Sequence, residues 1–172
     1  MRSILVGVFL LTVLSPASAQ RPRVSPHERH EFTVGGSKIT IEYGRPSKRD
    51  RAIWGGLVPW GRWWMPGADE TTTLRTTDSV LIGDLAVPAG EHTIYMWPDR
   101  EASRLIINNR TGTFHTFYDP RSDLGRVDFP WRPLAAPVEQ MTFTIDPREA
   151  GGGTLKLMWD DREYFVALAI KR

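Results

Sequence analysis

The chain has 172 residues, with 22 basic and 20 acidic side chains, 7 tryptophans and no cysteine. Charge this evenly balanced, with no basic run beyond Lys48-Arg49 and Arg51, excludes a nucleic-acid interface. The missing cysteines exclude thiolate chemistry and a small scaffold held together by disulfides.

Residues 1–19 read as a secretory signal peptide. Arg2 is the positive n-region, 4–14 a short apolar stretch, and Ala17-Ser18-Ala19 a cleavage site after the helix-breaking Pro16. Cleavage is expected before Gln20, which leaves 153 residues in the periplasm or outside the cell. The apolar stretch is shorter than the roughly 20 residues of a membrane span, and no second one follows. The mature chain is therefore expected to be soluble and free of membrane contact. Without Arg2 the charge balance is 21 to 20. A chain of this length buries roughly 68–70% of its unfolded surface, enough for one domain without bridges.

Residues 20–30 read as a flexible linker or an early edge segment. From Glu31 onward the pattern is β. Phe32 and Val34, the turn Gly35-Gly36, then Ile39, Ile41 and Tyr43 alternate as a hairpin, ended by Arg45-Pro46. After a basic segment, 48–51, comes the most unusual stretch, 54–73. It holds Trp54, Trp60, Trp63 and Trp64, followed by Asp69-Glu70. Gly55, Gly56, Pro59, Gly61, Pro66 and Gly67 break any period, so a loop is expected. One buried Trp hides roughly 150–250 Å², worth about 4–6 kcal/mol as an upper bound. Four exposed indoles would exceed the apolar patch that a soluble monomer tolerates. Two or three of them are expected to plug the end of a core, and one or two to line a groove.

Further strands are expected at 71–77, 80–82 and 85–87 about Gly83-Asp84, 91–97, 104–108, 113–118 (weaker), 126–131, 138–145, 154–159 and 164–170. Pro133 and Pro137 mark a linker in this reading, and Asp160-Asp161 the last hairpin turn. A short helical turn is allowed near 46–52 or 120–124. Short strands at roughly 8–12-residue spacing, with no sustained helical period, predict an all-β chain. The architecture expected is a single antiparallel β-sandwich, jelly-roll-like, of about ten strands.

The polar candidates are few. A carboxylate pair beside an aromatic wall can hold a cation or a sugar hydroxyl, or act as acid and base. Consecutive side chains of an extended segment face opposite ways, so only one of Asp69 and Glu70 can face a given cleft. The alternative role for Glu70 is a structural pair with Arg45 or Arg75. His27 and His30 lie in the expected linker; His92 and His115 read as packed or surface imidazoles. No H-x-H or H-E-x-x-H is present, so neither a metal nor another cofactor is expected. Asp119, Ser122, Asp123 and Gly125 fail the EF-hand spacing. Nucleophile and phosphate-loop motifs are missing.

Tyr43-Gly44-Arg45-Pro46-Ser47, then Trp54-Gly55-Gly56-Leu57-Val58-Pro59-Trp60-Gly61, Trp64 and Gly67-Ala68-Asp69-Glu70 resemble the DUF2911 family. Val87-Pro88-Ala89-Gly90, Tyr118-Asp119-Pro120, Asp123, Arg126-Val127 and Pro137-Val138-Glu139 continue the resemblance over 32–170. It implies an exported bacterial β-domain and supplies no catalytic residues. The chain departs from the family at Met65-Pro66, where a basic residue and Thr are usual, at Asp69 (usually Asn) and at His92 (usually Tyr). Glu70, which the family shares, is the carboxylate expected to face the cleft.

The candidate binding set is Trp60, Trp63, Trp64, Asp69, Glu70, Tyr95, His115 and Tyr118. The expectation is a binding module for a small molecule or glycan, acting as a monomer or weak homodimer. The alternatives are a metal-independent hydrolase or isomerase using Glu70, and an envelope module that docks through an edge strand.

Overall fold

In the computed structural model residues 24–148 and 151–171 are described; the expected signal peptide and the first residues of the expected linker lie outside them. The alternation of Phe32, Val34, Ile39, Ile41 and Tyr43 builds a hairpin of β1 (His27–Val34) and β2 (Ser37–Gly44). Val34 faces Ser37 across a two-residue turn. Gly35 and Gly36 have φ of 56° and 88°, as a turn with both central residues left-handed requires. β1 starts four residues before Glu31, so 27–30 are the edge segment rather than linker.

β3 (Thr73–Thr76), β4 (Val80–Ile82), β5 (Leu85–Val87), β6 (Gly90–Trp97), β7 (Arg104–Asn108), β8 (Asp123–Asp128), β9 (Trp131–Arg148) and β10 (Gly152–Ile170) follow. They form two antiparallel sheets, β1-β2-β3-β6-β7-β8 and β5-β4-β10-β9. The six-stranded sheet runs through the chain in order, except that the β4–β5 hairpin is handed to the other sheet. Ile39, Ile41, Tyr43, Leu74, Ile94, Met96, Leu105 and Ile107 pack against Phe143, Leu155, Leu157 and Trp159, all essentially buried. The β-sandwich is borne out.

Three local expectations are corrected. Residues 113–118 form no strand, only a bridge between Phe114 and Glu70. The edge of β7 that they would join is taken by β8, from Arg104↔Asp128 to Asn108↔Asp123. Pro133 and Pro137 lie within β9, not in a linker. β9 is the edge of its sheet, where a residue without an N–H is tolerated. The register passes from Val138↔Asp160 to Pro133↔Arg162, so 134–137 bulge outward. Asp160-Asp161 is not a hairpin turn. Asp160 takes φ 53°, and the chain bulges and continues as one strand, β10, whose far end pairs with β4 at Leu168↔Ile82. Of the two places where a helical turn was allowed, Pro120–Ser122 forms a single 3-10 turn, with the Asp119 side chain accepting from the Arg121 N–H.

Arg45 fastens the sheets along one seam. Its guanidinium donates to Glu28 Oε1 (3.1 Å), the Met141 carbonyl (3.1 Å) and Thr142 Oγ1 (2.8 Å), tying β1 to β9. The Tyr43 hydroxyl accepts from the Phe143 N–H at 3.1 Å beside it. Burial alone would raise the Glu28 pKa, but hydrogen bonds from His30 and Arg45 outweigh it and hold the carboxyl below its ordinary value of 4.5. A lowered carboxylate pKa stabilises the fold above that value, and the contribution is lost as pH falls through the depressed pKa. Glu28→Gln should therefore flatten the acid limb of the stability curve. The part-exposed carboxylate should be worth about 1 kcal/mol or less at neutral pH, read by urea unfolding at a series of pH values.

Candidate functional site

The Trp-rich stretch is a loop, held by the part of β6 that β3 leaves unpaired. β3 reaches only to Thr73↔Thr93. Beyond it the Ile94 N–H bonds the Thr72 carbonyl at 2.9 Å, and Trp64 and Met96 exchange two backbone hydrogen bonds at 2.8 Å. Trp64 thus behaves as a one-residue strand, and its neighbours alternate as strand residues do. Trp64 points inward, stacked on Trp159 (6.1 Å, 12°) with its edge toward Trp54. Trp63 and Met65 point outward and cover Tyr95 and Ile106 on the back of the sheet. One loop thereby closes the core and shields the outer face.

Trp54 and Trp64 pack against the core and Trp63 and Trp64 line a cavity, as the expected division had it, but the indoles are less buried than expected. None of the four loop tryptophans is fully buried; all are intermediate, and the fully buried one is Trp159. The Trp54 N–H donates to the Trp159 carbonyl (3.2 Å) and the Trp159 N–H to the Glu139 carbonyl (3.1 Å). Trp60 stacks on Trp54 at 6.3 Å. The Arg162 guanidinium lies 4.9 Å from the Trp60 ring and 3.7 Å from that of Trp131, a cation–π cage that occupies these faces. Gly55 takes φ 83° there, and a Cβ on it would stand 2.5 Å from Trp60 Nε1, so the Trp-Gly pair is a packing requirement.

A cavity of about 700 Å³ opens beside this cluster. Trp63, Trp64, Met65, Leu57 and Trp159 supply its apolar lining; Asp69, His115, Arg49, Arg51 and Arg62 supply its polar groups. Of the eight sequence candidates, Trp63, Trp64, Asp69 and His115 meet here. Tyr95 and Tyr118 stand behind Trp63, with Tyr118 5.3 Å and Tyr95 6.1 Å from it, ring to ring. The Tyr95 hydroxyl donates to the Phe117 carbonyl, and that of Tyr118 to Asp123 at 2.7 Å. Burial, with the Asp123 carboxylate beside it, pushes the Tyr118 pKa far up. Trp60 faces Arg162 instead of the cavity.

Asp69 and Glu70 do part to opposite sides, but Asp69 is the one in the Trp cavity. Glu70 lines a separate groove with His27, Glu42, Arg75 and Glu91. His27 Nδ1 stands 3.7 Å from a Glu70 oxygen. Of the two arginines suggested as its partners, Arg45 pairs with Glu28, and Arg75, which pairs with Glu91, lines the same groove as Glu70. Asp69 has φ 66°, and its carbonyl accepts from both the N–H (3.1 Å) and Nδ1–H (2.7 Å) of His115. That bond fixes the imidazole tautomer and leaves Nε2 as the acceptor in the neutral ring.

The sequence reading missed the arginines. It took 48–51 as a lead-in to the loop and gave Arg62 no role. In the fold Lys48 pairs with Asp160, while Arg49, Arg51 and Arg62 line the cavity. Arg51 donates to the Ser47 and Lys48 carbonyls and Arg49 to the Val24 carbonyl. The signal available was position, since Arg62 adjoins Trp63 and Arg49 and Arg51 lie within five residues of Trp54.

A family model described as a protein of unknown function (DUF2911) matches residues 25–168. The chain belongs to the DUF2911 family. No curated protein and no solved structure matches it. The DUF2911 match includes every lining residue except Val24. At position 69, where DUF2911 usually has Asn, the left-handed backbone accounts for the exchange, because Asn and Asp are the non-glycine residues that tolerate it best.

The cluster sets an order of stability effects. Trp159→Ala should cost about 3–5 kcal/mol in urea unfolding, as a fully buried indole does. Trp63→Ala, half-buried on the outer face, should cost clearly less and leave the far-UV circular dichroism unchanged. Equal losses would mean that Trp63 is core.

Proposed function

We propose that this DUF2911 chain is an exported binding module that takes a small molecule into the cavity beside Trp63 and Trp64. The observation that carries this reading is convergence. Residues from 46–51, 56–69, 115–116 and β10 surround one space of about 700 Å³, within the roughly 300–1,000 Å³ of small-ligand sites. Its make-up, an apolar lining with a few polar groups at fixed places, is that of such sites. A loop serving only as a lid would turn its indoles wholly into the core; these stay partly exposed.

The test is tryptophan fluorescence with acrylamide quenching against sugars, organic anions, cations and neutral amphiphiles. One ligand class should protect the wild type and raise its melting temperature, and Trp63→Ala should lose the protection. A screen in which nothing protects the indoles would sink the reading. Export has its own check: the chain from the extracytoplasmic fraction should begin at Gln20, and one that retains Met1 would overturn it.

Acid–base chemistry is the second reading, and one observation favours it. His115, tethered through Nδ1 to the Asp69 carbonyl, keeps Nε2 as a potential base in the same cavity. The version that relies on Glu70 together with Asp69 or His115 is weaker, because Glu70 lines the other groove.

A further inference from the structure

We infer that the ligand of this cavity is an anionic amphiphile, a single carboxylate- or phosphate-type head on an apolar body; the inference rests on the binding reading above. Two independent features carry it, one electrostatic and one apolar.

The electrostatic feature is a local excess of unpaired guanidinium. Three arginines and one carboxylate line the cavity, in a chain whose charges are otherwise nearly balanced. Elsewhere arginines are mostly paired: Arg45 with Glu28, Arg75 with Glu91, Arg121 with Asp119, Arg126 with Asp123 and Arg132 with Glu163. Among the described residues the guanidinium groups of Arg49, Arg51 and Arg62 have no carboxylate partner, while the Arg49 backbone N–H donates to Glu139 Oε1 at 3.0 Å. Arg51 spends two of its five donors on backbone carbonyls, and Arg62 makes no hydrogen bond or ion pair among the described residues. A guanidinium fork matches a carboxylate or phosphate in a bidentate way that neither a sugar hydroxyl nor a cation can reproduce. Among the described residues Asp69 is the one carboxylate of the lining, so the site takes one anionic head group rather than two.

The apolar feature is the distribution of exposed hydrophobic side chains. Among the described residues the large exposed ones are Val24 (69%), Leu57 (43%), Phe114 (53%) and Phe117 (40%). Val24 and Leu57 line this cavity, and Phe114 and Phe117 flank His115 and Thr116, which also line it. Two of the four thus stand at this one opening, beside the part-exposed Trp63 and Trp64, and apolar surface concentrated there marks a binding site. Head and body requirements thus meet at one place. The apolar body lies against Trp63, Trp64 and Leu57, with the head among the arginines.

The experiment titrates the mature chain, by tryptophan fluorescence and calorimetry, with decanoate, decyl phosphate, decyl maltoside, decyltrimethylammonium and butyrate, and with phosphatidylglycerol vesicles. Decanoate and decyl phosphate should bind at least about tenfold more tightly than the maltoside, and the cation and butyrate should not bind. Arg62→Gln, at an exposed residue with no bonds to lose, should weaken the two anions by about tenfold and leave the maltoside unchanged. Equal binding of anion and maltoside, or an unaffected Arg62→Gln, would overturn the anionic head while the cavity stands as a binding site. Failure of every probe, with no protection of the indoles by any member of the wider screen, would remove both readings. Binding to vesicles without binding to free decanoate would replace the cavity ligand by a membrane surface.

Discussion

Two backbone hydrogen bonds between Trp64 and Met96 govern much of what this fold presents to solvent. They anchor an irregular, glycine- and proline-rich loop to a strand edge, and an anchored residue must alternate like a strand residue. Trp64 therefore goes into the core, and Trp63 and Met65 to the back of the sheet. Neither side could be covered by a loop running free, because the same short segment has to bury apolar surface on two faces at once. The cavity is a consequence. It lies where the inward indole, the outward indole and strand β10 diverge.

The irregularity in β10 contributes as much as the loop does. β10 pairs with β9 along one edge from Gly152 to Tyr164 and with β4 along the other from Leu168 to Ile170, and its ladder with β9 shifts register on either side of Asp160. The left-handed Asp160 and the bulge of 134–137 mark the break in register, and Lys48 pairs with Asp160 at that point. With Lys48 engaged there, the next basic residues, Arg49 and Arg51, fall to the cavity side. Strand irregularity and local charge are thus coupled through one ion pair. Bulges commonly aim side chains in this way at sites that have a use.

Much of the sandwich was legible in the sequence. The Gly35-Gly36 and Gly83-Asp84 turns, β4, β5, β7 and the β character of nearly the whole chain follow from period-two alternation and turn chemistry. The parting of Asp69 from Glu70 followed from extended geometry. Of the candidate site, half the residues meet in the cavity. Trp60 was misplaced because an arginine far along the chain, Arg162, covers its face. Tyr95 and Tyr118 were assigned to a groove but serve as backing for Trp63. Arg49, Arg51 and Arg62 carried no motif, since a basic residue in a loop reads as ordinary surface until its lack of partners is seen in three dimensions.

By itself the sequence determined what depends on neighbours within a few residues: alternation, turns, the looped character of 54–72 and the family blocks. Tertiary structure alone decided what depends on whether an edge or a face elsewhere is already taken. Residues 113–118 have enough β character for a strand, yet β8 holds the edge they would join. Pro133 and Pro137 look like breakers, yet an outer edge has no partner for the N–H they lack. Asp160-Asp161 looks like a reversal, yet both flanks of it are wanted by the same sheet. Glu70 and Asp69 are equivalent along the chain, and only the bridge to Phe114 and the bonds to His115 assign them to different hollows. Alternation records that a face is buried; it carries no record of what buries it, and the site is made of those distant partners.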